Sequence, residues 1–223
     1  TAILTLLLMV AIIAARDLGS SLIVGMIWLG IMLLVGARRL HLAILVVAVV
    51  AVGALGWRFA LHEYQRDRLR NFIHPEQNAL TTGYNATQAM IAVGAGQWFG
   101  RGLGFGSQSQ LRFLPEAHTD FIFSVIAEEL GFVGVLVLMA LFMVMLWRLT
   151  RIIRQASNDF SSVTVSGIAI LFLTQLLVNV GANIGLLPIT GVTLPFVSYG
   201  GSSLIINLFL IGVAESMVER KYV

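Results

Sequence analysis

The chain has 223 residues, of which 58% are hydrophobic and only 11% charged, and its mean hydropathy is +0.91. Soluble domains carry roughly 25% charged residues, so this composition excludes a fully water-facing surface and makes lipid the solvent for much of the chain. The formal net charge of +3 does not mark a nucleic-acid binder, because the arginines fall between apolar runs, and the absence of cysteine excludes disulfides and thiolate metal sites.

A bilayer crossing takes about 20 mainly apolar residues, and six stretches meet or approach that length. The first covers residues 2–15 and is short because the chain opens inside it at Thr1. It has no basic leader and does not resemble a signal peptide, so a longer protein with earlier helices is expected. The second and third stretches cover 18–36 and 42–59. A long polar interval at 60–120 precedes the fourth, 121–147, and the fifth follows at 163–180. An irregular segment at 181–201 leads into the sixth, at 203–217. The expected architecture is an all-α polytopic membrane helix bundle, with residues 1–223 as a single membrane domain.

Basic residues in short loops are held on the cytoplasmic side. Arg38 and Arg39 follow the second stretch, Arg148, Arg151 and Arg154 the fourth, and Arg220 with Lys221 the sixth. Alternating spans put all three clusters on one side, so the C-terminus is expected in the cytoplasm and the 60–120 and 181–201 segments outside. Long loops cross largely regardless of their own charge.

The 60–120 interval exceeds the 12–15 residues of a plain connector, and its aromatic and aliphatic content is not that of a disordered segment. It is expected to fold back on the bundle, with a short amphipathic helix at 87–93. Arg66, Arg68, Arg70, Arg101 and Arg112 lie in it. Such arginines form either a solvated, headgroup-facing surface or a phosphate site, where guanidinium forks match phosphate oxygens. Gly94, Gly96, Gly100, Gly102, Gly104 and Gly106 bracket Arg101 without spelling a dinucleotide or Walker loop. They suit tight turns, or backbone amides that cradle a diphosphate.

Glu116, Asp120, Glu128 and Glu129 lie in or beside the fourth stretch. Charge within a membrane helix costs roughly 2.5–3.5 kcal/mol on insertion scales, so such groups face a protein interior or a polar cavity. Thr119 or Asp120 is placed to cap the helix that follows. The two roles are compatible, since the helix dipole favours a charged carboxylate there, ready to accept a proton. Glu128 falls about 12 Å further along the axis and about 80° round from Asp120, with Glu129 on the opposite face. Those two are expected to pair with neighbouring helices. His118 has no second histidine nearby, so a metal site there is not expected, and Asn179 and Asn183 satisfy carbonyls at a helix end.

The 181–201 segment carries Pro188, Pro195 and several glycines in an apolar context. Irregular backbone at membrane depth is tolerated only where protein or a water-filled cavity surrounds it. The segment is therefore either a buried turn or a re-entrant stretch lining a cavity.

Three motifs now carry a resemblance. The run Phe113-Leu114-Pro115-Glu116-Ala117-His118-Thr119-Asp120-Phe121-Ile122-Phe123 with Glu128-Glu129-Leu130-Gly131 resembles the RodA/FtsW (SEDS) proteins. So does 188–203, with its Pro-x-Thr-Gly and Ser-Tyr-Gly-Gly-Ser-Ser elements, and Asp17-Leu18-Gly19-Ser20 resembles an Asp-Leu-Gly-Thr turn. Arg16 stands where many members have proline. Residues 106–111 and 83–85 look more like the rod-shape branch than the division branch.

The resemblance implies a ten-helix bundle of which the last six are present, in a bacterial cytoplasmic (inner) membrane. It implies a peptidoglycan glycosyltransferase that polymerises lipid II beside a class B penicillin-binding protein transpeptidase, in elongation or division. Asp120 aligns with the family's essential aspartate and becomes the expected catalytic base. The expected substrate-binding residues are Glu116, His118, Thr119, Arg66, Arg70, Arg101, Arg112, Ser198, Tyr199, Gly200, Gly201, Ser202 and Ser203. No protein-held metal site is expected, and a divalent cation, Mg or Mn, is the alternative to arginine for meeting the diphosphate. A lipid II flippase and a non-catalytic scaffold for a transpeptidase are the competing readings.

Overall fold

The structure is a computed structural model that describes residues 17–36, 72, 83–106, 114 and 116–218. The expected first and third spans, Arg66, Arg68, Arg70, Arg112, and the basic pairs at 38–39 and 220–221 lie outside the described residues.

Five helices form among the described residues. The first, α1 (Leu18–Leu34), is capped by Asp17, whose carboxylate accepts from Ser20 N at 2.9 Å and Ser20 Oγ at 2.5 Å. A short helix, α2 (Tyr84–Ala95), extends the stretch expected at 87–93 by three residues at the start and two at the end. Then come α3 (Ile122–Arg154), α4 (Asp159–Asn183) and α5 (Gly201–Ser216). Asn158 caps α4 by accepting from Ser161 N at 2.8 Å. The helices α3 and α4 are long and apolar enough to cross a membrane, and α1 and α5 are shorter apolar helices.

The longest helix is broken. Gly131 in α3 adopts φ 66° and ψ −165°, a region open essentially to glycine alone. A break frees backbone groups that must find other partners, and here the glycine-rich loop after α2 supplies them. Phe132 N and Val133 N donate to Gln97 O and Trp98 O at 2.8 and 3.1 Å, while Arg101 N and Gly102 N donate to Glu128 O and Glu129 O at 2.9 and 3.0 Å. Such close backbone contact leaves no room for side chains. A β-carbon at Gly96 would lie 1.8 Å from Ala127 O, and one at Gly100 2.1 Å from Glu129 O. The Arg101 and Gly102 amides therefore serve the α3 break. Trp98 packs edge-on against Phe132, ring centroids 5.3 Å apart.

The centre of the bundle is α4, which packs against α3, α1 and α5. Gly30 of α1 lies against Ile170 of α4. One core cluster joins α2, the turn before α3 and α3 itself through Ala89, Ala92, Ala117, Phe121 and Val125. Another, around Leu149, Val165, Phe172 and Ala214, joins α3, α4 and α5. The chain after α4 does not leave the bundle. Leu194 packs with Leu176 and Phe142, and the Phe196 ring meets Phe172 at 5.3 Å. Phe172 lies eleven residues before Asn183, so the segment folds back about 16 Å along α4.

This arrangement gives the bundle two unlike ends. One gathers Asp17, the turn at 116–121, the end of α4 and the start of α5. The other carries Arg148, Arg151 and Arg154 in the last turns of α3, where the Arg151 guanidinium stacks 3.8 Å over Trp147.

Candidate functional site

The turn at 116–121 is built by its own backbone and fixed by two neighbours. Glu116 opens it with a positive φ of 60°. Thr119 N then donates to Glu116 O at 3.1 Å, and the Thr119 hydroxyl donates to Glu116 O at 3.1 Å and to its carboxylate at 3.0 Å. The capping position of α3 falls to Phe121, not to Thr119 or Asp120 as expected, and Phe121 offers no capping side chain. Asp120 lies one residue before it, half-buried.

The segment at 194–199 holds this turn from one side. The Ser198 hydroxyl donates to Thr119 O at 2.7 Å and accepts from Leu194 N at 2.8 Å, while Tyr199 N donates to His118 O at 2.8 Å. From below, α4 contributes two buried asparagines, Asn179 and Asn183, 2% and 1% exposed. Both side-chain amides donate to Asp120 O, each at 3.0 Å. Asn179 also donates to Val192 O at 2.8 Å, and Asn183 accepts from the Ser124 hydroxyl at 2.6 Å.

The loop at 190–192 closes the arrangement. A β-carbon at Gly191 would lie 3.7 Å from Asp120 Oδ2, and one at Gly19 would lie 2.7 Å from Thr190 O. Residues of all three motifs singled out in the sequence thus meet at the 190–192 loop, with Gly19 on one side and Asp120 on the other.

Of the expected site residues, Glu116, His118, Thr119 and Asp120 share the turn, and Ser198 and Tyr199 touch it directly. Gly200 to Ser203 continue from Tyr199 into the first turn of α5, with Tyr199, Gly201 and Ser202 exposed. Arg101 is not brought beside Asp120. Its backbone joins α3 at Glu128, about 12 Å along the axis, and its Nε donates to Ala95 O at 3.5 Å. Glu128 is wholly buried. Arg66, Arg70 and Arg112 lie outside the described residues. Among the described residues no three His, Cys, Asp or Glu side chains converge.

The tie from Asn179 and Asn183 to Asp120 was not anticipated. Their signal was their four-residue spacing in an apolar helix, which puts both amides on one face and obliges them to find carbonyls.

Comparison with known proteins places these motifs in context. Residues 1–222 match the family model FtsW/RodA/SpoVE, described as cell cycle protein. The peptidoglycan glycosyltransferase MrdB of Escherichia coli K12 is 42% identical over 204 residues, covering 92% of this chain and 55% of MrdB. A probable peptidoglycan glycosyltransferase FtsW of Coxiella burnetii is 42% identical over 200 residues, 88% of this chain and 53% of that protein. The chain thus spans about half the length of the curated relatives it matches. In structure it resembles a chain of a peptidoglycan synthase complex solved for its coordination of polymerization and crosslinking, with TM-score 0.76 and 32% identity over 96% of this chain and 59% of that one. The rod shape determining protein RodA of Thermus thermophilus gives TM-score 0.61 and 30% identity, covering 96% and 53%.

Proposed function

Because this chain belongs to the FtsW/RodA/SpoVE family of cell cycle proteins, which are polytopic membrane proteins, we propose that it is the C-terminal part of a peptidoglycan glycosyltransferase with Asp120 as general base. The observation that carries the reading is the way Asp120 is held. Its backbone is tied to α4 and its turn to the 194–199 segment, yet the residue stays half-buried rather than enclosed. A fixed, partly accessible carboxylate at the polar end of an apolar bundle suits proton transfer from a bound hydroxyl.

In this reading the carboxylate takes the proton from a sugar hydroxyl of one lipid-linked disaccharide. The hydroxyl oxygen forms a bond to the anomeric carbon of a second, with inversion, as the bond to undecaprenyl diphosphate breaks. An inverting glycosidase needs a second carboxyl group as acid to protonate its leaving oxygen. A diphosphate leaves as a stable anion, so one carboxylate suffices where positive charge meets it. Arg112 or the Arg66–Arg70 cluster is the proposed source of that charge, since Arg101 joins α3 at Glu128, about 12 Å along the axis from Asp120. His118, Tyr199 and residues 200–203 are proposed to line the sugar path, while Glu116, Thr119 and Ser198 shape the turn.

The Arg148, Arg151 and Arg154 end is assigned to the cytoplasm by the rule for basic residues. That puts Asp120 at the outer face of the cytoplasmic membrane and the C-terminus inside. The proposed partner is a class B penicillin-binding protein transpeptidase, by analogy with the synthase complex. The reading is tested by glycan polymerisation from labelled lipid II with full-length protein, wild type against Asp120→Asn. Lipid translocation that survives the substitution without polymer in either protein would favour a flippase instead.

A further inference from the structure

We infer that Asn179, supported by Asn183, is a positioning residue that sets the Asp120 carboxylate against the 190–192 loop; this rests on the glycosyltransferase reading above. The helix does not fix Asp120 by itself. Its cap is Phe121, and Val125 N donates to Phe121 O at 3.2 Å, so the Asp120 carbonyl precedes that ladder. Two amides of α4 take it, Asn179 Nδ2 and Asn183 Nδ2, both at 3.0 Å.

Asn179 does more than hold one carbonyl. The same Nδ2 donates to Val192 O at 2.8 Å, so its two N–H groups link the backbone bearing the carboxylate to the loop facing it. Gly191, beside Val192, is where a β-carbon would come 3.7 Å from Asp120 Oδ2. The spacing between the base and its facing loop is therefore referred to a single nitrogen on a rigid helix. Asn183 keeps that nitrogen in register. Its Nδ2 donates to Asn179 O at 2.9 Å, and its own amide is oriented by the Ser124 hydroxyl at 2.6 Å. The oxygens around both nitrogens are acceptors, which settles the direction of each amide. Positioning of this kind is worth a great deal in rate, because a misplacement of about 1 Å can cost about 100-fold.

The experiment is steady-state polymerisation by the full-length protein with its transpeptidase partner on labelled lipid II. Rates are expressed per folded molecule, with folding followed by thermal unfolding in detergent. Asn179→Leu is expected to lower kcat about 10- to 100-fold with KM little changed. Asn183→Leu, which spares the Val192 link, is expected to lose less, and Ser124→Ala less again. Ser166→Ala, a buried hydroxyl on α4 whose bond among the described residues stays within its own helix, serves as the control and keeps wild-type kcat. Wild-type kcat in folded Asn179→Leu, or a fall in KM-dependent binding alone, overturns the inference. Should that variant not fold, unchanged kcat in both Asn183→Leu and Ser124→Ala overturns it. An active Asp120→Asn would instead defeat the glycosyltransferase reading beneath it, whereas an inactive Asp120→Asn beside unaffected asparagine variants defeats this inference alone.

Discussion

Gly131 and Gly100 meet backbone to backbone: a β-carbon on Gly131 would stand 2.2 Å from Gly100 N. Both have positive φ, and together they let the loop after α2 enter the break in α3. Gly131→Ala is expected to destabilise the protein by about 1–3 kcal/mol from backbone conformation alone, with the steric clash adding to it. Thermal unfolding in detergent checks this as a lowered Tm. Gly94→Ala, whose new methyl would meet no described atom beyond its own stretch of helix backbone within 4 Å, is expected to match or exceed wild-type stability, as alanine does in a helix.

Ser198 is expected to matter through what its hydroxyl holds. Ser198→Ala leaves Thr119 O and Leu194 N without that partner, at a cost of about 1–3 kcal/mol. Loosening of the turn beside Asp120 should also lower polymerisation per folded molecule by about 10-fold. A variant with a lowered Tm and an unchanged rate would restrict Ser198 to stability.

Gly19→Ala tests the convergence of the first and third motifs. Its methyl would lie 2.7 Å from Thr190 O and 3.0 Å from the Val192 side chain, and the first of these is backbone that cannot rotate away. The 190–192 loop must shift, so activity is expected to fall by about 10-fold or more. Comparison of rates at equal folded protein decides the matter.

Thr190 carries a buried hydroxyl with no partner among the described residues. An unpaired buried polar group opposes folding, so Thr190→Val should melt no lower than wild type. A clear fall in Tm would mean the hydroxyl is bonded.

Much of this molecule is legible in the sequence because lipid simplifies the code. The apolar runs at 18–36, 121–147, 163–180 and 203–217 became α1, α3, α4 and α5 with ends shifted by a few residues, or by seven at the end of α3. Asp120 and the 188–203 motif stood out as polar or irregular elements that an apolar bundle must house. What stayed hidden needed two distant partners at once. Gly131 reads as a tolerated glycine within a long helix until the loop at 96–102 is laid beside it. That loop's glycines read equally as turns or as a phosphate cradle, because amides look the same whichever acceptor they serve. Asn179 and Asn183 announce a need for carbonyls, but nothing local says that the carbonyl is Asp120, 59 and 63 residues away.

The most direct measurement is the length and yield of glycan made from labelled lipid II by full-length Asp120→Asn, purified with the proposed transpeptidase partner and matched to wild type in Tm. Loss of the base is expected to reduce the rate by about 10²–10⁴-fold, leaving lipid II unpolymerised while the protein stays folded. Polymer formed at the wild-type rate by that folded variant would contradict the assignment of Asp120 and, with it, the proposed chemistry.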